Sequence, residues 1–324
     1  MGSSPSERPP LIVIAGPTAT GKTALSIRLA EAIAGEGMRA EILSADSRQV
    51  YRGLDIGTAK ATPEERARIP HHGLDLVDPD VRFTVADFTR HTAEVLATIA
   101  ESGGTAILVG GTGLYLRAVA RGLDTEALPS DVTLRARLDA ELLEDGLPEL
   151  VSRLRALAPG IAARTDLANP RRVVRALEIA ELAGDVAPPA LRGYPGPVAW
   201  LGLDVGRATH ARWIGRRARS QFERGLVDEA AALRRTWDPA LPAFSAIGYR
   251  EAWAVLDERI DIETAIARDR DRNLAFAKRQ RTWFRSEPGI TWLDPSVGDP
   301  LPSVLDRARR LLEAASPRVP GPAR

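Results

Sequence analysis

Gly16-Pro-Thr-Ala-Thr-Gly21-Lys22-Thr23 matches the spacing G-x-x-x-x-G-K-[ST] without a mismatch. Glycines let such a loop turn its backbone amides inward, a following helix N-terminus adds positive potential, and the lysine brings a point charge to an outer phosphate. The Thr23 hydroxyl stands where these loops hold Mg²⁺. The chemistry is capture of a pyrophosphate or triphosphate by Gly16, Pro17, Thr18, Ala19, Thr20, Gly21, Lys22 and Thr23; the loop alone leaves the compound open. Nucleotide hydrolases and kinases add a second strand that ends in a metal-ordering Asp. Here Thr105-Ala-Ile-Leu-Val109 ends in Gly110-Gly-Thr-Gly113 instead. The strand that does end in an acid is Glu41-Ile-Leu-Ser-Ala-Asp46. Open α/β proteins bind ligands at that end of their strands, although a helix cap or an outer-sphere metal role would also suit an Asp there.

A second kind of chemistry is signalled by cations. Arg268, Arg270, Arg272, Lys278, Arg279, Arg281 and Arg285 crowd one stretch with Trp283 and Phe284. On a helix they make a basic stripe against the apolar face of Ile262, Ile266 and Phe276, suited to following phosphates. An ordinary amphipathic helix with exposed arginines has the same pattern. Arg171, Arg172 and Arg175 form another patch. Only three of the 44 basic residues are lysines, Lys22, Lys60 and Lys278. His71-His72 with Asp75 and Asp78 lacks metal-ligand spacing, because adjacent side chains point apart.

These residues need elements to hold them. Leu11-Ile-Val-Ile-Ala15 is wholly apolar, as expected of a strand buried on both faces. Helical spacing follows over 23–34, a strand over 40–45, a helix over 83–100 and a strand over 105–109. This alternation predicts an α/β fold, a phosphate-loop parallel sheet with helices on both faces. From 130 to 187 the pattern is helical only. Strands at 198–205 and 290–293 then flank helices over about 207–236 and 261–286. The expected division is a core of 10–121 and 196–315, an inserted all-helical domain of 122–195, and flexible tails at 1–9 and 316–324. The 324 residues carry a net charge of +1, so any anionic partner must meet a local patch. With no cysteine, disulfides, Cys-ligated metals and thiol catalysis are excluded. No apolar run approaches the ~18 residues of a membrane span, and the start lacks a signal-peptide core, so a cytoplasmic protein is expected.

Six blocks together resemble the bacterial tRNA dimethylallyltransferase (tRNA isopentenyltransferase) family. They are Gly16–Thr23; Asp46-Ser-Arg-Gln-Val-Tyr51 with Asp55-Ile-Gly-Thr-Ala-Lys60; Val109–Tyr115; Asn169-Pro-Arg-Arg-Val-Val-Arg-Ala-Leu-Glu178; Ala246-Ile-Gly-Tyr-Arg-Glu251; and Ala277-Lys-Arg-Gln-Arg-Thr-Trp-Phe-Arg285. They run in order over about residues 11–294, and all three lysines fall inside them. The resemblance implies a Mg²⁺-dependent, monomeric enzyme that moves a dimethylallyl group from dimethylallyl pyrophosphate to N6 of the adenosine 3′ of the anticodon. It implies Asp46 as the base, Thr112 near the reacting centre, Arg217 on the pyrophosphate, and Thr23 on the metal. It also implies tRNA contacts by Asp46, Ser47, Arg48, Gln49, Arg135, Arg171, Arg172, Arg175, Lys278, Arg279, Gln280 and Arg285. The amide of Gln49 offers the donor and acceptor that an adenine edge requires. Leu54 and Ala61 replace the methionine and proline usual in the family. An ATP-dependent small-molecule kinase, an adenylate isopentenyltransferase, or a non-catalytic nucleotide-sensing RNA-binding protein are the other expectations.

Overall fold

The computed structural model describes residues 8–315. The expected tails lie outside that range except for residues 8 and 9. Pro9 is buried, and its carbonyl accepts a hydrogen bond from the Tyr194 hydroxyl at 2.7 Å. The chain forms two compact units, Met1–Gly122 with Gly193–Arg324, and Leu123–Arg192.

In the larger unit β1 (Leu11–Ala15) leads into α1 (Lys22–Gly35), and β2 (Ala40–Ser44) is followed by α2 (Pro63–Arg68) and the short β3 (His71–His72). Then come α3 (Val85–Glu101), β4 (Thr105–Gly110) and α4 (Gly113–Ala120). The smaller unit holds α5 (Val132–Glu144), α6 (Gly146–Leu157), α7 (Pro159–Arg164) and α8 (Pro170–Ala183). The larger unit resumes with β5 (Val198–Leu203), α9 (Arg207–Glu223), α10 (Leu226–Arg234), a 3-10 turn at Pro242–Ser245, α11 (Tyr249–Leu256), α12 (Ile262–Arg285), β6 (Thr291–Leu293) and α13 (Leu301–Ala315).

The strands order β3-β2-β4-β1-β5-β6, and every neighbouring pair is parallel. All five residues of β1 are fully buried, and the pleat sends them alternately to two cores. Leu11, Val13 and Ala15 pack with Phe88 and Leu96 of α3 and Leu116 of α4. Ile12 and Ile14 pack with Leu25, Leu29 and Ile33 of α1 and Val304 of α13. Two covered faces explain why this strand reads as continuously apolar rather than alternating. A third cluster joins Val50 and Leu54, just after Asp46, to Phe222, Leu226, Tyr249 and Trp253.

Two features depart from the sequence expectation. The helix expected over 207–236 is interrupted at Gly225, whose φ of 95° no side-chain-bearing residue adopts cheaply, and α9 and α10 lie on either side. His71 and His72 form β3, an edge strand paired to Ile42 and Leu43. The smaller unit has its own core of Leu138, Leu150, Leu154, Val173 and Leu177.

Candidate active site

The phosphate loop leaves the C-terminal end of β1. Gly16 has φ 142°, and a Cβ there would collide with the Leu203 carbonyl, so β5 runs too close for any other residue. Gly21, at φ 86°, precedes α1 without a side-chain cap, which leaves amides at the helix start for an anion. Lys22 Nζ donates to the Pro17 carbonyl at 2.6 Å, and so does Thr20 Oγ1 at 2.9 Å. Burial pushes Lys22 down to about 7; the Arg217 cation adds to this and Asp46 opposes it. The exposed Thr23 lines the same cleft.

Asp46 follows β2 in a turn that β4 braces. Ala45 N donates to Val109 O at 2.7 Å, Thr112 N to Ala45 O at 3.2 Å, and Ser47 N to Thr112 Oγ1 at 3.1 Å. Asp46 Oδ1 accepts from Arg48 N at 2.8 Å. Thr112 therefore acts on the backbone that carries the carboxylate. The glycines around it answer a packing demand: a Cβ on Gly111 would strike the Gln280 amide, and one on Gly113 the Trp283 ring. At Gly110, the end of β4 where nucleotide hydrolases carry an acid, a Cβ would collide with the Ala45 carbonyl, so the turn after β2 leaves no room for a side chain.

Arg217 reaches the loop from α9, its Nη1 donating to Thr18 Oγ1 at 2.9 Å, while its Nε is buried without a partner. Burial lowers its pKa, and Asp46 and Asp269 pull it back. A cleft of about 420 Å³ is lined by Lys22, Thr23, Asp46, Trp213, Arg217 and Phe276. A cavity of about 400 Å³ has Asp46, Ser47, Arg48, Thr112, Arg217 and Arg279 in its wall. The two share Thr18, Asp46, Thr58, Arg217 and Phe276. A carboxylate and a guanidinium thus stand where a phosphate-binding space adjoins a basic one, an arrangement suited to transfer from a phosphorylated donor to a second substrate.

Several residues expected to contact RNA make hydrogen bonds within the fold. Gln49 Oε1 accepts from Ser44 Oγ at 2.6 Å, and its Nε2 donates to Thr58 O at 3.0 Å and Ala59 O at 3.2 Å. Its amide thus ties the end of β2 to the segment before Lys60. Gln280 is 6% exposed; its Oε1 accepts from Thr18 N at 2.8 Å and its Nε2 donates to Gly111 O at 3.0 Å. In the smaller unit, Arg135 Nε and Arg175 Nη1 close on the fully buried Glu178 at 2.9 and 2.7 Å. Arg171 and Arg172 are exposed on α8, and Lys278, Arg279 and Arg285 on α12.

Sequence reasoning passed over His210. It is 1% exposed, and its Nε2 lies 2.7 Å from Thr18 O. The available signal was its spacing of seven from Arg217, which puts both on one helix face. The two adjacent histidines serve the fold: His71 Nδ1 is 2.7 Å from Ile69 O, and His72 Nε2 is 2.7 Å from Glu41 Oε2. Among the described residues no group of three or more His, Cys, Asp or Glu side chains is placed to hold a metal.

A model of the IPP transferase family matches residues 49–287. The chain is 46% identical over 316 residues to a tRNA dimethylallyltransferase of Anaeromyxobacter sp. (strain K), with 95% of this chain and 99% of that protein covered. It is 43% identical over 300 residues to one of Roseiflexus sp. (strain RS-1), covering 90% and 94%. It is similar to the crystal structure of the full-length tRNA isopentenylpyrophosphate transferase of Bacillus halodurans, with a TM-score of 0.67, 36% identity, and 94% and 97% of the two chains covered. A eukaryotic dimethylallyltransferase acting on tRNA matches at a TM-score of 0.67 and 26% identity, covering 88% of this chain and 74% of that one.

Proposed function

The chain belongs to the IPP transferase family of tRNA dimethylallyltransferases, and from that membership we propose that it moves a dimethylallyl group from dimethylallyl pyrophosphate to N6 of the adenosine 3′ of the anticodon. The observation that carries this reading is the pair of adjoining spaces that share Asp46 and Arg217. The phosphate loop holds the pyrophosphate, and Trp213 and Phe276 give the prenyl group apolar walls. The base enters from the side of Ser47, Arg48 and Arg279, unstacked from its loop. N6 attacks the first carbon of the dimethylallyl group, the carbon–oxygen bond breaks, pyrophosphate departs, and Asp46 takes the N6 proton. Lys22, Arg217 and the α1 N-terminus stabilise the charge that gathers on the leaving group.

Mg²⁺ fits this site on the chemistry of its donors. Of the loop's three hydroxyls, those of Thr18 and Thr20 are engaged within the protein and the exposed Thr23 Oγ1 would hold the ion; with no cluster of acids or imidazoles among the described residues, the ion would draw its remaining ligands from pyrophosphate and water. When bound, it neutralises phosphate charge. The exposed Arg171, Arg172, Lys278, Arg279 and Arg285 would meet RNA phosphates, while Arg135 and Arg175 act through Glu178 to shape their own unit. The proposal makes the protein a cytoplasmic monomer. Among the described residues no helix is long and apolar enough to cross a membrane.

The test incubates the protein with unmodified tRNA, dimethylallyl pyrophosphate and Mg²⁺, with ATP and AMP present as competing substrates, and weighs the anticodon-loop fragment and the free nucleotides. The expected result is a gain of one dimethylallyl group on the adenosine beside the anticodon. An unchanged mass with consumption of ATP, or with prenylation of free adenosine phosphate, would overturn the reading in favour of a kinase or an adenylate isopentenyltransferase.

A further inference from the structure

Thr18 has three polar groups, and each is held by a different side chain from α9 or α12. Its N–H donates to Gln280 Oε1 at 2.8 Å, its hydroxyl accepts from Arg217 Nη1 at 2.9 Å, and its carbonyl lies 2.7 Å from His210 Nε2. The partners of His210 decide its tautomer. A carbonyl can only accept, so Nε2 carries the proton. Arg281 Nη2, 2.7 Å from Nδ1, can only donate, so Nδ1 is the acceptor. Arg281 is itself fixed by Asp204 Oδ1 at 2.7 Å and Val205 O at 2.8 Å. A chain of bonds thus runs from the end of β5 through Arg281 and His210 into the phosphate loop.

We propose that His210 is a positioning residue: its Nε2–H, acting with the Gln280 amide, holds Thr18 so that the loop and Arg217 are shaped for pyrophosphate before it arrives. The inference rests on the pyrophosphate reading above and extends it to a residue that does not touch the donor. Preorganised donors need no rearrangement when charge arrives, and small displacements of a loop forfeit that advantage. The arrangement needs neutral His210. A proton on Nδ1 would face the Arg281 guanidinium as donor against donor and cation against cation. The charged groups that bear on His210 are Arg281 on α12, Lys22 on α1 and Asp204 after β5. Burial lowers its pKa, with Arg281 and Lys22 in the same direction and the Thr18 carbonyl and Asp204 against it. Nδ1 therefore accepts from Arg281 at and above the usual histidine range and loses that bond as pH falls below it, while Nε2–H remains a donor to Thr18.

Inorganic pyrophosphate binding by calorimetry, with steady-state kinetics on the full chain, tests this. His210→Phe should weaken pyrophosphate binding about tenfold and raise the donor KM to match, leaving the tRNA KM within about twofold. His210→Gln keeps a terminal amide N–H in reach of Thr18 and should recover most of that loss. As pH falls its pyrophosphate affinity should decline less than that of the wild type, since protonation of pyrophosphate is common to both and only the wild type also loses the Arg281–Nδ1 bond. With four histidines in the chain, ¹⁵N-histidine spectra of the wild type can read the tautomer directly, and His210 should be neutral and protonated on Nε2. Unchanged pyrophosphate affinity in His210→Phe, a Gln variant as weak as the Phe variant, or a proton on Nδ1 would each overturn the inference alone. Should His210→Phe fail to fold, the Gln variant's pH profile and the spectra decide. A wild type that binds no pyrophosphate would overturn the phosphate-loop reading and this inference with it.

Discussion

Two lysines of the larger unit, Lys60 buried and Lys22 half-buried, end in opposite surroundings. Lys60, 6% exposed, ends among acceptors: Asp55 Oδ1 at 2.8 Å, Asp75 Oδ1 at 2.5 Å and the Tyr51 carbonyl at 2.6 Å. Arg66 adds a second cation to Asp75 at 2.7 Å. Burial would raise the Asp75 pKa, but hydrogen bonds from Lys60 and Arg66 hold it below its ordinary value. Lys22 has the Pro17 carbonyl, a repelling Arg217 and the distant pull of Asp46, and its pKa falls to about 7. The chain neutralises one site itself and leaves the other positive. A buried cation with carboxylate partners belongs to the fold, whereas one without them is held for an anion that arrives later. Arg135 and Arg175 on Glu178 repeat the first case, and Arg217 on the Thr18 hydroxyl repeats the second.

The largest effect should come from the acid that faces the uncompensated cations. Asp46→Ala is expected to lower turnover by about 10²–10⁴-fold with little change in tRNA affinity, because it removes the proton acceptor and leaves the exposed cations that meet RNA phosphates in place. Single-turnover rates and a binding titration check both halves; turnover within a few-fold of wild type would refute the base assignment. Next, Lys60→Met should destabilise the protein by about 2–3 kcal/mol in urea. This is less than for a fully buried pair, since the Asp55 side chain is 57% exposed. Its KM values should stay near wild type.

Lys22→Met should reverse that pattern. Pyrophosphate and donor binding should weaken about 10–100-fold, as expected for a lost charge-assisted contact, while stability does not fall. The pH dependence sharpens the contrast. With a folded pKa of about 7 against an ordinary 10.5, folded Lys22 binds fewer protons than the unfolded chain between those values. Wild-type stability at this position therefore rises with pH across that window. Lys22→Met should melt above wild type at pH 6–7, with the gap closing towards pH 10. A Lys22→Met protein that melts below wild type at neutral pH would put Lys22 in the same class as Lys60. The smallest effect belongs to the exposed cations of α12. Lys278→Ala with Arg279→Ala should lower tRNA affinity and reduce the slope of log K against log salt by up to about 2. An unaltered slope would return that face to plain solvation.

The features legible in the sequence are those whose geometry is local. The phosphate loop lies within eight consecutive residues, and the positive φ angles of Gly16 and Gly21 and the uncapped helix start follow from glycines at set spacings, whereas the φ of 60° at Ala19 has no such signal. The strand β1 announces itself by composition, because two covered faces favour a continuous apolar run. Asp46 could be placed at a strand end from the apolar run before it. Shorter or punctuated elements were less visible: β3 has two residues, too few for a period, and Gly225 ends α9 where the apolar pattern continues. Which polar side chains remain available was not legible. Gln280 meets Thr18 across 262 positions, His210 meets it across 192, and Arg135 meets Glu178 across 43. A glutamine, histidine or arginine looks the same in sequence whether its hydrogen bonds go to substrate or to another segment. The sequence by itself determined the elements and the phosphate loop, because propensity, periodicity and turn chemistry act between near neighbours. Only the tertiary structure decided which cations and amides stay open to a substrate, because that depends on which distant donors and acceptors meet once the sheet and helices have packed.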